Sequence, residues 1–187
     1  MRMHSPQDWP NALIRTAIAL ALFVLSAVPF YGLSPKRINY TGLLNQRPVL
    51  TCLCMIPLGL FYALIFYREG CRIFPKEEWK RKTALLLGMI VLVMIVPYGE
   101  KEDFYSGLHV LLAYGTLIIY GFLMSQLLYS NKPLFQLFGM GMILSFFLAV
   151  SDLSVSGRSE LAFSLTNALV FSFLLPLPEK NPSGKEG

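Results

Sequence analysis

Histidine is almost missing from this sequence. Only His4 and His109 occur in 187 residues, and a catalytic zinc site needs about three His or carboxylate ligands converging on one point. No metal centre and no cofactor is therefore assigned. Cysteine is nearly as scarce, with Cys52, Cys54 and Cys71 making up the full set. Cys52 and Cys54 sit two apart in an apolar run, on different faces of a helix. Neither a disulfide framework nor a zinc pattern can be built from them, and they read as apolar filler. A Gly-x-Ser-x-Gly elbow, a His-Glu-x-x-His motif and a glycine-rich phosphate loop are also absent, so no catalytic residue is assigned.

Charge is the next shortage. Charged residues make up 14% of the chain and hydrophobic residues 55%, against about 25% and about 45–50% in soluble domains. The apolar residues gather into long runs, and roughly 20 helical residues cross a hydrocarbon core. Six runs are long enough with their flanks, at 11–32, 48–67, 83–98, 105–129, 133–150 and 160–177. The fold class is therefore all-α, a polytopic transmembrane helical bundle forming one domain over 1–178, with a polar, disordered tail at 179–187. The start does not read as a cleavable signal peptide, because Arg15 interrupts the positive region and Pro29-Phe30-Tyr31 follows the apolar part. No repeat points to an inverted-repeat transporter.

The net charge of +5 does not indicate nucleic acid, because the bases flank apolar runs, where orientation signals and anionic-lipid contacts belong. Of the 16 Lys and Arg, eleven fall on the side of Arg2, Arg15, 68–82, Lys132, Lys180 and Lys185; five fall on the side of Lys36, Arg37, Arg47, Lys101 and Arg158. The richer side is cytoplasmic, so both termini are expected inside, in a plasma or inner membrane. The strongest signal is REGCRIFPKEEWKRK, whose second half should continue as a helix into the third span. Its glutamates, Glu77 and Glu78, sit in the favourable first turn after Pro75. Pro57 should kink the second span. Gly88, Gly115, Gly121, Gly139 and Gly141 permit close helix approach, and Ala17 with Ala21 forms one small-xxx-small pair.

What polarity remains is concentrated on the outer face. The stretch YGEKEDFYSGLH joins the third and fourth spans, with Asp103 or Ser106 able to cap the fourth helix. Tyr105 and His109, four apart, share a helix face, as do Glu160 and Asn167, seven apart. If the fourth and sixth helices are neighbours, His109, Glu160 and Asn167 line one polar cleft, with Tyr105, Asp103 and Arg158 at its rim. The competing reading is structural: His109 bonds a loop, Glu160 is a first-turn residue stabilised by the helix dipole, and Asn167 bonds a neighbouring helix.

Two stretches carry a family resemblance. In LLLGMIVLVMIVPYGEKEDFYSGLHVLLAYGTLIIYGFL an apolar span ends at an outer loop, and His109 followed by Ala113 opens the next. In SDLSVSGRSELAFSLTNALVF a short Ser-Gly and Arg/Glu loop precedes the last span. Over roughly 100 residues this layout resembles the DRAM-like six-span membrane proteins (autophagy modulators and relatives that remodel GPI anchors) and similar bacterial membrane proteins. The first outer loop, LSPKRINYTGLLNQRP, departs from that family's Ser-Asp-rich loop. The resemblance implies a lipid-related or accessory role without an established active site.

Three functions follow. The first is a non-enzymatic membrane protein that binds a lipid, small ligand or partner protein through the outer-face cleft, with membrane lipids and a membrane protein as its partners. The second is the substrate-binding subunit of a larger transporter, docking an energising partner through the loop around Trp79. The third is a lipid-modifying enzyme with Glu160 or His109 as base.

Overall fold

The computed structural model describes residues 8–96, 104–152 and 155–174, with side chains from residue 13 onward. Among the described residues it is all-helical, with seven α-helices, one 3-10 turn and no strand. Helix α1 (Asp8–Ala27) runs into the 3-10 turn (Val28–Phe30). Then follow α2 (Tyr40–Gln46), α3 (Pro48–Ile73), α4 (Lys76–Ile95), α5 (Phe104–Leu128), α6 (Lys132–Ser151) and α7 (Gly157–Phe173). Each of the six apolar runs carries one of the long helices, and α2 lies in the connection after the first. Side chains start the helices where first-turn N–H groups need acceptors. Asn39 accepts from Gly42 N at 2.8 Å to open α2, and Asn131 accepts from Leu134 N at 3.3 Å to open α6. Ser156 and Ser159 form a reciprocal capping box on α7.

Among the described residues, four helices are long and apolar enough to cross a membrane by length and composition: the α1 segment Leu13–Phe30, α3, α5 and α6. Their apolar residues point mostly outward; only 11% of the α5 window is buried. Leu53, Leu60 and Leu64 on α3, Ile118 on α5, and Phe146 and Phe147 on α6 are all well exposed. Soluble monomers rarely expose such continuous apolar surface, and the arrangement is compatible with a multi-pass membrane protein. Helix α4 spends its first turns on Lys76, Glu77, Glu78, Lys80, Arg81 and Lys82, and the 17 residues of α7 include several hydroxyls and Asn167. Helix α7 is the interior helix, packed against α1, α3 and α6. Its buried residues include Ser159, Ser164, Thr166, Asn167, Ala168, Val170, Phe171 and Ser172. A helix screened from the surroundings by its neighbours needs less apolar surface than those at the rim.

The bundle has two distinct ends. At one, α2 and the turns beside it fold against the start of α7, with Gly157 N donating to Ile38 O at 2.9 Å and Arg158 N to Pro35 O at 3.1 Å. Arg47 fastens this end by donating to Pro29 O and Tyr31 O at 3.0 and 2.9 Å. The other end is basic. There α3 and α4 meet through a connection of two residues, Phe74 and Pro75, so the stretch 68–82 is helix on both sides. Trp79 is wholly buried, stacked on Phe74 at 4.8 Å and donating its indole N–H to Phe66 O at 3.1 Å. It is not presented at the surface.

Pro57 lies inside α3, which runs on either side of it from Pro48 to Ile73. Of the five glycines singled out, Gly141 alone has a neighbour pressed against it: a Cβ there would run into the Thr166 side chain. The α1 packing face is Ala19 and Ser26, seven apart, while Ala17 and Ala21 are exposed.

Candidate functional site

At the α2 end, polar side chains meet one another and the backbone. Glu160 in the first turn of α7 accepts from Tyr40 N, at the start of α2, at 2.6 Å. One carboxylate thereby serves two helix N-termini, each of which favours negative charge. Tyr40 continues inward, its hydroxyl reaching Ser26 O at 3.3 Å, and burial pushes the phenol up to about 12, keeping it a donor. Asp152, just after α6, binds Arg158 through both carboxylate oxygens, Nε to Oδ2 at 3.0 Å and Nη2 to Oδ1, and accepts from Ser156 Oγ at 2.6 Å. Its side chain is fully covered. The Arg158 guanidinium, with Ser156 second, holds the Asp152 carboxyl below its ordinary value. Asn39 Nδ2 closes the cluster on Val155 O at 3.1 Å. Three segments distant in sequence are fastened here by groups that satisfy each other.

The proposed cleft residues occupy different places. His109 Nδ1 lies 2.8 Å from Val96 O; a carbonyl only accepts, so Nδ1 carries the proton in this contact. The imidazole thus ties α5 to the end of α4. Tyr105 is exposed, and Asp103 lies outside the described residues. Glu160 and Arg158 belong to the cluster above. Asn167 is buried farther along α7, accepting from Tyr120 Oη on α5 and donating to Phe163 O at 2.8 Å. Helix α5 thus meets α7 through Tyr120, about three turns below His109.

A concave feature lined by four helices lies at that deeper level. A cavity of about 380 Å³ separates α3, α4 and α5, with α7 as its floor. Gly59, Tyr62, Ala63 and Phe66 form its α3 wall, and Thr83, Leu86, Leu87, Ile90, Val93 and Met94 its α4 wall. Ala113, Thr116, Leu117 and Tyr120 come from α5, and Phe163, Asn167 and Phe171 from α7. Ligand sites in proteins run from about 300 to 1,000 Å³ and are mostly apolar with a few placed polar groups. The polar groups here are hydroxyls and one amide. Tyr62 Oη donates to Ser164 O at 2.8 Å, and Thr116 Oγ1 to Leu112 O at 2.7 Å. Among the described residues, the lining holds no carboxylate, lysine, arginine or histidine. Among the described residues, no three His, Cys, Asp or Glu converge as metal ligands.

The sequence marks Asn167 by the helix face it shares with Glu160; it does not mark Tyr62, Thr83 and Tyr120, although each is a hydroxyl placed within or at the border of an apolar run. That pattern was the available signal. The cavity between them depends on helix spacing, which no local pattern encodes.

No protein-family model, no curated protein and no solved structure matches the chain.

Proposed function

We propose that the chain is a six-span membrane protein with both termini in the cytoplasm of a cell-bounding membrane, and that it binds a lipid or comparable apolar molecule without turning it over. The observation that carries the binding role is the cavity of about 380 Å³ beneath α4. Leu87, Met94 and Leu117 line this cavity and are also exposed on the apolar flank. Its mouth therefore faces the acyl chains, and a ligand enters sideways without crossing water.

Six spans follow if α4 and α7 join the four apolar helices. The part of α4 beyond Lys82 is apolar, and α7 is screened by its neighbours. Orientation is supported by charge: Arg15, Arg68, Arg72, Lys76, Lys80, Arg81, Lys82 and Lys132 gather at the basic end, against Lys36, Arg37, Arg47 and Arg158 at the α2 end. In this reading His109, Arg158 and Glu160 hold the outer cap of the bundle together, and Asn167 belongs to the cavity floor. An accessory, lipid-related role of the DRAM-like kind fits this arrangement.

The test is native mass spectrometry of the full chain released from its membrane in mild detergent. The wild type should carry a bound lipid-like molecule that Gly59→Leu has lost; Gly59 lines the cavity, and a Cβ there meets nothing within 4 Å. A wild-type spectrum showing the bare chain alone refutes the binding role.

A further inference from the structure

Thr83 is the cavity group that the fold leaves unanswered. Its side chain lines the cavity, it is 6% exposed, and its hydroxyl has no hydrogen-bond partner. A buried hydroxyl without a partner is costly, and acyl chains at the mouth offer neither donor nor acceptor. The other hydroxyls around the cavity have committed their protons: Tyr62 to Ser164 O, Thr116 to Leu112 O and Tyr120 to Asn167. Among the hydroxyls of the lining, Thr83 alone has a proton uncommitted and can both donate to and accept from an occupant.

Charge narrows the choice further. A phosphate or carboxylate brought into this lining would meet no cation among the described residues, and an unpaired charge in apolar surroundings is strongly disfavoured. The nearest candidate in sequence, Lys82, is held by Glu78 Oε1 at 2.6 Å and Gln126 Oε1 at 3.2 Å. Position gives the ligand a direction. Thr83 lies about two turns into α4 from the basic end, whereas Met94 lines the cavity near the far end of the same helix.

We propose that the occupant is a neutral single-chain amphiphile bearing a hydroxyl or carbonyl group. Its polar group bonds Thr83 Oγ1, and its chain runs along Leu86 and Ile90 toward the mouth at Met94. The proposal rests on the reading that the cavity is a ligand site, and adds the chemical class that the site takes.

The test uses the full chain in phosphatidylcholine nanodiscs and photoreactive forms of three matched probes: hexadecanol, hexadecanoic acid and hexadecyl phosphate. Saturable labelling of α3–α5 peptides is measured for wild type, Thr83→Val, Thr83→Ser and Gly59→Leu, each checked for wild-type helix content and unfolding. Hexadecanol should label at the lowest concentration. Thr83→Val should weaken it about five-fold, the scale of one net hydrogen bond. Thr83→Ser should restore it, and Gly59→Leu should abolish it. An acid or phosphate probe binding as tightly as the alcohol, or unchanged alcohol affinity in Thr83→Val, overturns the assigned chemistry while leaving the cavity a site. Absence of saturable labelling by all three probes in folded wild-type protein overturns the ligand-site reading beneath it.

Discussion

Replacing Gly70 by alanine should destabilise the protein, although alanine is the better helix former. Propensity alone favours alanine by about 1 kcal/mol in a helix interior. Gly70, however, faces the indole of Trp79 across the α3–α4 turn, and a Cβ at that position would fall within the ring. The ring is held on every side. It stacks on Phe74 at 4.8 Å with planes 8° apart, lies 4.9 Å from Phe66, and donates to Phe66 O at 3.1 Å. Moving it weakens two aromatic contacts of about 0.5–1.5 kcal/mol each and strains a buried hydrogen bond, costly if its donor is orphaned. Overpacking of cores commonly costs about 1–3 kcal/mol. The net expectation for Gly70→Ala is therefore a loss of about 2 kcal/mol, or roughly 4–8 °C in Tm for a chain of this size.

Fluorescence reads the site directly, because Trp9 and Trp79 are the only tryptophans in the chain. In a Trp9→Phe background, Gly70→Ala should shift Trp79 emission to the red and lower the unfolding midpoint in detergent. Shrinking the ring with Trp79→Phe should make Gly70→Ala nearly harmless, a coupling that a double-mutant cycle isolates. If Gly70→Ala is as stable as wild type or more so, with unchanged emission, the packing at the α3–α4 turn is not as described.

Asp152 and Arg158 set an acid limit. Because Arg158 lowers the folded-state pKa of Asp152, the pair's contribution is fully present above the ordinary aspartate value of about 3.9 and disappears as pH falls through the lower, folded value. The thermal-stability gap between wild type and Asp152→Asn should thus be level from neutral pH to about 5 and close only below about 4; a gap that closes near neutrality contradicts the assignment. Glu160→Ala strands the Tyr40 N–H and should cost about 1–3 kcal/mol, while Glu160→Gln keeps an acceptor and should cost less; equal losses in chemical unfolding would show that the bond to Tyr40 is not what matters. Gly141→Leu should separate α6 from α7, because the Thr166 side chain already occupies the space of its Cβ. Its unfolding midpoint should fall well below that of Gly139→Leu, where a Cβ meets nothing within 4 Å. Replacing the six bases of 68–82 by glutamine should weaken or invert the insertion preference; unchanged reporter-fusion topology counts against orientation by that segment.

The helices were readable because each apolar run is a local property of the chain. The strong cap at Ser156 and the glutamates after Pro75 are local signals of the same kind. The partners of those helices were not readable in that way. Glu160 and Tyr40 are 120 residues apart, and nothing in either neighbourhood names the other. The 3.6-residue period also gave little help in choosing packing faces. In a bundle with apolar residues on its outside, an apolar stripe no longer distinguishes the face that meets protein from the face that meets lipid. Small and polar residues carry that information, as Ala19 and Ser26 do on α1 and Thr166 and Asn167 do on α7.

Helix α7 links this point to the cavity. Thr166, Asn167 and Ser172 each donate to the carbonyl four residues earlier, at 2.8, 2.8 and 2.6 Å. These side chains are thereby satisfied within their own helix, and α7 can lie in the interior without demanding a polar partner for each. What remains is used sparingly: Asn167 Oδ1 takes the Tyr120 hydroxyl of α5, and Ser164 O takes the Tyr62 hydroxyl of α3. Tyr120 therefore stands between α7 and α5, whereas α3 also packs on α7 directly. Helix α4 packs on α3 and α5 and closes the gap from the outside with Leu86, Ile90 and Thr83. The space under α4 is thus a consequence of α5 bonding α7 through a tyrosine tip rather than through close backbone contact of the kind Gly141 permits between α6 and α7. On this account Tyr120→Phe removes the tether while keeping the spacer, whereas Tyr120→Ala removes the spacer itself and should let α5 close over the site, read as loss of the bound molecule in native mass spectra.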